Sequence, residues 1–285
     1  MKTVKLNNGL EMPQFGIGTY NFPSDEVAQD AVSFAFKNGY NHVDTAHAYN
    51  DERGVGAGVK NSGMKREDVW ITSKLWPNEY GEGKTLEAID KMLKRLQVDY
   101  IDLLFVHQPI GDYVGAWKDM EKAVEMGKVK ALGISNFEFH GYNEIMENAK
   151  IKPAVAQIEL HPYAQQKEFR EKLAKDNIQV ECWFPLGGEG AGNEALFNDE
   201  TIKEIANAHG KTPAQVILRW HIQEGFVAIP GATNHDYILE NVNIFDFELS
   251  DEEMQKMRDL DKNQRFFTLN YEQVKGFVSG IILDD

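Results

Sequence analysis

The sequence predicts an α/β protein, a single-domain (β/α)8 (TIM) barrel that begins with a β-hairpin. Eight short apolar runs alternate with amphipathic segments of helical period, and no linker or low-complexity segment divides the 285 residues. A chain of this length is also ordinary for one barrel. An open, doubly wound parallel sheet is the alternative arrangement for the same alternation.

The first 13 residues predict the hairpin, which we expect to cap the barrel. Two short strands at 4–6 and 10–12 flank Asn7-Asn8-Gly9. An Asn-Gly pair supplies the positive φ angles that a tight hairpin turn needs. The rest of the chain, 14–285, then belongs to the one barrel domain, with 265–285 as a C-terminal tail.

The barrel strands are predicted where short apolar runs stand between turn residues. Because a helical segment separates each run from the next, the strands are expected to be parallel. They cover residues 15–18, 42–44, 69–72, 101–106, 129–134, 154–158, 178–182 and 226–229.

The helices are predicted from capping residues and from apolar residues spaced three and four apart. Ser24 precedes two acidic residues, as an N-cap does, and Thr212-Pro213-Ala214-Gln215 is a capping box with proline at the first helical position. Other helices are expected from about residue 51, over 86–96, up to 127, near 139–149 and 168–175, and from about 235.

Three glycines in the second helical segment, Gly54, Gly56 and Gly58, do not form a dinucleotide-binding fingerprint. No strand directly precedes them, and position 59 is valine. We therefore expect these glycines to allow close packing between helices.

The composition excludes several classes of function. Forty-five acidic against 30 basic residues give a net charge of −15, the wrong sign for binding nucleic acid or an anionic membrane. Cys182 is the only cysteine, which rules out an intramolecular disulfide and a thiolate zinc site.

The N-terminus lacks the apolar core of a secretory signal, and no apolar run approaches the ~20 residues of a membrane span. We expect a cytoplasmic protein with a small-molecule partner, a monomer in preference to an oligomer.

Polar residues follow three successive strands. Asp44 ends the second strand and Tyr49 follows it, Lys74 follows the third, and His107 follows the fourth. Because the carboxyl ends of barrel strands meet on one face, we expect these four side chains to converge.

Such a cluster suits reduction of a carbonyl group. A buried Lys74 beside Asp44 stays charged, and we expect it to lower the pKa of Tyr49 from ~10 by about 1–3 units. A phenol tuned in this way is a general acid for an oxyanion that forms on a carbonyl oxygen. His107 is placed to donate a second hydrogen bond to that oxygen.

Further motifs along nearly the whole chain, up to about residue 265, strengthen this interpretation. They are Gly16-Ile17-Gly18-Thr19, Asp44-Thr45-Ala46 with Tyr49 and Glu52, Thr72-Ser73-Lys74-Leu75-Trp76, Asp99-Tyr100-Ile101-Asp102 before His107, Gly133-Ile134-Ser135-Asn136-Phe137, Gln157-Ile158-Glu159-Leu160-His161-Pro162, Trp183-Phe184-Pro185-Leu186-Gly187 and Phe247-Glu248-Leu249-Ser250. Together they resemble the aldo-keto reductase family, in which a nicotinamide cofactor lies across a (β/α)8 barrel.

The resemblance implies NAD(P)H-dependent reduction of an aldehyde or ketone to an alcohol. The nicotinamide would supply the hydride and Tyr49 the proton. Lys74 would tune Tyr49, Asp44 would pair with Lys74, and His107 would steer the carbonyl. The implied substrate pocket also contains Tyr20, Trp76 and Ile110, and the C-terminal tail 265–285 is expected near it.

The resemblance also implies a cofactor site. Ser135, Asn136 and Gln157 would hydrogen-bond the nicotinamide carboxamide, Trp183 would stack on the ring, and the loop 186–190 would grip the pyrophosphate. The implied cofactor residues are Gly18, Thr19, Asp44, Ser135, Asn136, Gln157, Trp183, Phe184, Leu186, Gly187, Gly231, Ala232, Thr233, Asn234, Tyr237, Glu240 and Asn241.

The sequence departs from the family where many members hold the 2′-phosphate of NADPH. A lysine, a serine and an arginine are replaced by Gly231, Ala232 and Tyr237. Since one charge-assisted hydrogen bond contributes ~1.5–3 kcal/mol, losing two would weaken NADPH binding by about two to four orders of magnitude. The cofactor is therefore NADP(H) or NAD(H), and our hypothesis is relaxed, NADH-tolerant use.

Phe184 also replaces a serine that is common in the family, and Gln108 replaces a tryptophan beside the substrate pocket. The tail after residue 265 matches no motif, so the sequence does not identify the carbonyl substrate.

Two other functions are weighed against the reductase. A metal-dependent barrel hydrolase would use Asp44 with His42, His47 and His107, but the first strand lacks a His-x-His pair. No metal is therefore expected. A cofactor-binding sensor or partner subunit with little turnover would have no chemical need for Tyr49 and Lys74 together.

Overall fold

Eight parallel strands form the large sheet of the protein, described here from a computed structural model that covers residues 2–138, 140–188 and 190–283. Each of these strands pairs with the next one along the chain. The hairpin strands are β1 (Thr3–Lys5) and β2 (Glu11–Pro13), and the sheet contains β3 (Ile17–Gly18), β4 (His42–Asp44), β5 (Trp70–Leu75), β6 (Ile101–Val106), β7 (Val129–Ser135), β8 (Val155–Glu159), β9 (Gln179–Trp183) and β10 (Val227–Ala228).

The sheet closes into a barrel between its first and last strands. Gly16 N donates to Ala228 O at 3.0 Å, Ala228 N donates to Gln14 O at 3.1 Å, and Gly18 N donates to Pro230 O at 3.2 Å. An open sheet would leave these backbone groups on two free edges. The (β/α)8 barrel is confirmed, and the doubly wound sheet is wrong.

The strand bounds differ from the predicted ones at several places. β3 and β10 have two residues each, because Phe15 pairs with Ala228 and Gly18 with Gly231 only through isolated bridges where the barrel closes. β5 continues to Leu75 and β7 to Ser135, beyond the predicted ends at 72 and 134. Lys74 is therefore a strand residue, fixed by the pairing of β5 with β6.

Helices connect the strands and cover the outside of the sheet. Ser24 Oγ accepts from Val27 N, and Thr212 forms its capping box with Gln215, as predicted. The helices are α1 (Asp25–Lys37), α2 (Glu52–Ser62), α3 (Thr85–Leu96), α4 (Tyr113–Glu125), α5 (Tyr142–Asn148), α6 (Lys167–Lys175), α7 (Ala191–Phe197), α8 (Glu200–His209), α9 (Pro213–Gln223), α10 (His235–Val242), α11 (Asp251–Asp259) and α12 (Tyr271–Gly280), with short 3-10 helices at His47–Tyr49, Arg66–Asp68 and Pro77–Glu79.

Four of these helices, α7, α8, α11 and α12, were not predicted from the sequence. The helix expected near 139–149 is α5. Some residues of the predicted segments lie outside the described part of the chain: Met1 of the hairpin, Phe139 before α5, Glu189 of the loop 186–190, and Asp284 and Asp285 of the tail.

The hairpin forms where predicted, but its turn differs. Leu6 and Leu10 pair through the Leu6 N to Leu10 O hydrogen bond, and Gly9 N donates back to Leu6 O. Gly9 alone has a positive φ, +88°, whereas the tight Asn-Gly turn needs two such residues. The three-residue loop 7–9 allows one left-handed glycine to reverse the chain.

The glycines of α2 confirm the prediction of close helix packing. A Cβ on Gly54 would lie 2.1 Å from Asp25 O, and one on Gly56 would lie 2.2 Å from Leu96 O. α2 therefore approaches both α1 and the end of α3 at backbone distance.

The barrel interior is divided into an apolar end and a polar end. At the hairpin end, Met12, Leu103 and Val155 are fully buried within one apolar cluster. At the carboxyl ends of the strands, buried polar and charged side chains replace the apolar ones. A second, larger apolar cluster fills the layer between strands and helices. Among the described helices, none has both the length and the apolar character to cross a membrane.

Candidate active site

Lys74 is the centre of the polar cluster at the carboxyl ends of the strands. Its ammonium group is fully buried and donates to Asp44 Oδ1 at 2.5 Å, to Thr45 O at 2.8 Å and to Tyr49 Oη at 3.3 Å. The three donor positions of Lys74 thus point to three acceptors. Since Tyr49 Oη accepts from Lys74, the hydroxyl hydrogen of Tyr49 points away from Lys74 and is free to be donated.

The expected shift of the Tyr49 pKa is wrong in direction. Burial raises the pKa of Tyr49 well above its usual value, and the carboxylates of Asp44 and Asp51 add to the effect. Asp44 neutralises the ammonium charge of Lys74 at 2.5 Å, so Lys74 does not offset the desolvation that phenolate formation has to overcome. Tyr49 therefore keeps its proton at neutral pH.

His107 lies against Tyr49 on one side and Trp76 on the other. The ring centroids are 5.7 Å from Tyr49 and 4.9 Å from Trp76, and both contacts are edge to face. Burial, together with the Lys74 charge, lowers the pKa of His107 well below its usual value. The imidazole is therefore neutral near pH 7 and has one N–H to donate.

Ser135, Asn136 and Gln157 lie together at the ends of β7 and β8. Asn136 Nδ2 donates to Ser135 Oγ and to His107 O, both at 3.1 Å, and Ser135 Oγ is 3.5 Å from Gln157 Oε1. Gln157 Nε2 donates to Asp44 Oδ2 at 2.8 Å. The predicted carboxamide-binding residues are thus linked directly to the Lys74 cluster.

Aromatic side chains line the opening beside Tyr49. The ring of Tyr20 is 5.2 Å from Tyr49 and 6.0 Å from Phe184, and Phe184 is 4.9 Å from Trp183. Phe184 has a φ of 49°, which is uncommon for a bulky residue. The ring of Phe184 lies close to Gly188, where a Cβ would come within 2.9 Å of it.

The C-terminal tail reaches the same opening. Trp76 Nε1 donates to Val278 O at 3.3 Å, and the Trp76 ring is 6.5 Å from Phe277. Asn50 Nδ2, next to Tyr49, donates to Ile282 O at 3.2 Å. Ile110, the other predicted pocket residue, is buried in the loop after β6.

The residues predicted for the adenosine end form a second group around the start of α10. Gly231 pairs with Gly18, and Asn234 caps the helix by accepting from Asp236 N at 2.8 Å. Glu240 accepts from Thr212 Oγ1 at 2.7 Å, which ties α10 to α9. Asn241, also predicted for this end, is buried, and Ala232, Thr233 and Tyr237 are partly or largely exposed. Thr19, another predicted cofactor residue, is buried, and its backbone N donates to Asp44 O at 3.0 Å.

These residues fit a nicotinamide nucleotide. The buried Nε1 of Trp183 has no partner within the described residues, and amide and hydroxyl groups from Ser135 and Gln157 match the donor and acceptor pattern of a carboxamide. Gly187 is buried with a φ of +85°, and the half-buried Leu186 precedes it. Because glycine has no side chain, the backbone at Gly187 allows close approach of a phosphate.

Sequence reasoning missed two charged residues of this end of the barrel. Glu181, on β9, is fully buried and accepts from Gln157 Nε2 in a short hydrogen bond. Glu159, at the end of β8, pairs with Arg265 Nε at 2.7 Å. A charged residue at an inward position of a strand was the signal for Glu181, because strand residues alternate between the two faces.

The geometry does not support the metal-dependent hydrolase. His42 Nε2 is 3.2 Å from Thr72 Oγ1, and His47 Nδ1 is 2.7 Å from Glu79 Oε1, so neither pairs with His107. No cluster of three or more His, Cys, Asp or Glu side chains suited to a metal ion occurs in residues 2–138, 140–188 and 190–283.

Comparison with known proteins identifies the family. A profile of the aldo/keto reductase family matches residues 12–262. The chain is 46% identical to the glyoxal reductase of Bacillus subtilis (strain 168) over 264 residues, covering 92% of this chain and 94% of that protein. It is 38% identical to a methylglyoxal reductase of Escherichia coli (strain K12) over 265 residues, again covering 92% and 94%.

A solved structure agrees with both the fold and the family. The crystal structure of the Bombyx mori aldo-keto reductase in complex with NADP superimposes with a TM-score of 0.88 at 30% identity, covering 96% of each chain. The closed barrel, the cluster around Lys74 and these similarities lead to one conclusion: the chain belongs to the aldo/keto reductase family and is an NAD(P)H-dependent oxidoreductase.

Proposed function

We propose that the protein reduces small aldehydes and ketones, with dicarbonyl compounds as the first class to test, and that Tyr49 donates the proton. The observation that carries the proposal is the position of Lys74 Nζ, 2.5 Å from Asp44 and 3.3 Å from Tyr49 Oη, with His107 packed against the Tyr49 ring. The names of the similar glyoxal and methylglyoxal reductases support the dicarbonyl class.

A nicotinamide held by Ser135, Asn136, Gln157 and Trp183 would supply the hydride that reduces the carbonyl carbon. Tyr49 holds its proton at neutral pH and donates it to the carbonyl oxygen, on which negative charge develops. Lys74 already donates to Tyr49 Oη, so its ammonium group stabilises the phenolate that remains. Asp44 keeps the ammonium group in place and charged.

His107 positions the substrate in this proposal. Its neutral imidazole donates one hydrogen bond to the same carbonyl oxygen, and its packing between Tyr49 and Trp76 holds the ring in one orientation. Tyr20 and Trp76 form the walls beside it, and α12 of the tail covers the Trp76 side.

The test is oxidation of NADPH and of NADH, followed by absorbance, with methylglyoxal as substrate. Y49F keeps the aromatic packing but has no proton to donate, so we expect turnover to fall by at least about a hundredfold. Cofactor affinity, measured by quenching of tryptophan fluorescence, is expected to change by less than about twofold, because the ring of Tyr49 is retained. Full activity of Y49F would overturn the assignment of the proton donor.

We also propose that the enzyme tolerates NADH. The segment 229–241 contains no lysine or arginine, and His235 is paired with Asp30 at 2.7 Å and stacked on Phe34. Asp30 and Asp236 place negative charge near the start of α10, which disfavours a 2′-phosphate. NADPH binding a hundredfold more tightly than NADH in the fluorescence titration would contradict this proposal.

The sensor with little turnover is the alternative outcome of the same measurements. It would bind cofactor without oxidising it, and Y49F would then change nothing. The monomeric state and the cytoplasmic location stay predictions from the sequence.

A further inference from the structure

Glu181 occupies a position that the proposed reaction does not use. It lies on β9 with no exposed surface, and its register partner on β8 is Gln157. Glu181 Oε1 accepts from Gln157 Nε2, while its other oxygen, Oε2, has no partner among the described residues.

The amide of Gln157 is fixed by two carboxyl groups. Its Nε2 donates to Asp44 Oδ2 at 2.8 Å and to Glu181 Oε1. An amide nitrogen has two hydrogens, so both are committed. Gln157 Oε1 is consequently the atom that this side chain can offer to a ligand, and Glu181 is one of the two groups that prevent the amide from flipping.

The charges around Glu181 determine its protonation. Asp44 on β4, Lys74 on β5 and the Tyr49 hydroxyl are the titratable groups that face it across the barrel. Lys74 is the single cation of this group, and Asp44 holds it at 2.5 Å. If Glu181 were ionised, no further cation would neutralise it. Its Oε2, which has no hydrogen-bond partner, would then carry negative charge away from water.

We propose that Glu181 is a protonated carboxylic acid and a positioning residue, which orients the Gln157 amide so that Gln157 Oε1 accepts from the carboxamide of the nicotinamide. The proposal rests on the assignment of Gln157 to the cofactor site. Burial and the neighbouring Asp44 carboxylate raise the pKa of Glu181 well above its usual range, in agreement with the charge argument.

Two variants separate the hydrogen-bond acceptor at position 181 from a negative charge at that position. Glutamine at position 181 is neutral, has the same length and retains an acceptor for Gln157 Nε2, so E181Q mimics the protonated acid. Leucine has a similar volume but no acceptor. We expect E181L to weaken NADH and NADPH binding in the fluorescence titration by about tenfold, the effect of one lost hydrogen bond and a freed amide. E181Q is expected to restore binding to within about twofold of the native protein.

The protonation state is measured without cofactor or turnover. In the infrared spectrum of the native protein at pH 8, above the pKa of about 7 of the buried Asp51, we expect a carbonyl stretch of a protonated carboxylic acid that is absent from E181Q. If this band is missing, or if E181Q weakens cofactor binding as much as E181L does, the proposal is overturned. A native protein without turnover would instead contradict the proposed function, because neither the infrared band nor the titration depends on activity.

Discussion

Arg265 Nε lies 2.7 Å from Glu159 Oε2, and this ion pair joins the C-terminal tail to the end of β8. Arg265 Nη1 also reaches Glu138 Oε1 at 2.7 Å, and Glu159 Oε1 accepts from the backbone N of Phe266 at 2.6 Å. The next residue, Phe267, packs edge to face on Trp183 with centroids 5.7 Å apart. A single buried carboxylate thus connects the barrel, the tail and the aromatic ring that we place beside the nicotinamide.

Loss of this connection should raise the KM for the substrate more than it lowers kcat. In R265A the tail loses its anchor next to Phe266, while Lys74 and Tyr49 are untouched. We expect the KM for methylglyoxal to rise roughly tenfold, the effect of about 1.4 kcal/mol, with kcat changed much less. R258A is the matched control, since Arg258 pairs with Glu224 at 2.6 Å and its variant also loses an ion pair. Equal changes in both variants would show that the tail anchor has no specific effect on the pocket.

A cation at position 237 should shift the cofactor preference. Tyr237 is 61% exposed, so an arginine replaces it without disturbing the core. If the 2′-phosphate lies near the start of α10, Y237R gains one charge-assisted hydrogen bond, about 1.5–3 kcal/mol, and tightens NADPH by at least about tenfold. NADH affinity is expected to stay the same. Y237Q is the control for loss of the tyrosine, and a uniform change for both cofactors would refute this placement.

The buried Asp51 should make the protein less stable as the pH rises. Burial raises the pKa of Asp51 from 3.8 to about 7 in the folded protein, against hydrogen bonding from Thr45. Between these two values the folded state holds a proton that the unfolded state has released. The free energy of unfolding therefore falls with pH in this window, by up to about 1.4 kcal/mol per pH unit.

D51N removes this pH dependence, because asparagine keeps an acceptor for Thr45 and carries no charge. We expect its Tm to exceed that of the native protein by an amount that grows from pH 4 to pH 7. The exposed Asp68 provides the control, and D68N should follow the native curve. Parallel melting curves for D51N and the native protein at every pH would contradict the assignment.

The contact between α2 and α3 should not tolerate a methyl group. A Cβ on Gly56 would lie 2.2 Å from Leu96 O, a backbone atom that cannot move without shifting α3. We expect G56A to lower the stability by about 1–3 kcal/mol or more. G276A, in α12 with nothing within 4 Å of the added atom, serves as the control and should be close to neutral. A G56A protein with native Tm would show that the two helices separate at little cost.

The fold was predicted from the spacing of hydrophobic residues, from helix-capping residues and from the positions where strands end. The order of strands and helices follows from local patterns, because hydrophobic spacing and cap residues act over a few positions. The convergence of Asp44, Tyr49, Lys74 and His107 also followed from the chain, since parallel strands of a barrel end on one face. The unpredicted helices α7 and α8 lie between β9 and α9, and α12 lies in a tail that matched no motif.

The sequence by itself determined the barrel, the cluster of Asp44, Tyr49, Lys74 and His107, and the absence of lysine and arginine from residues 229–241. Only the tertiary structure decided the direction of the Tyr49 pKa, the link from Gln157 to Glu181 and the anchoring of Arg265 by Glu159. Glu159 and Arg265 are 106 positions apart, and desolvation depends on every atom that surrounds a group. Spacing along a chain reports which residues share a face, whereas burial and charge pairing exist only after distant segments meet.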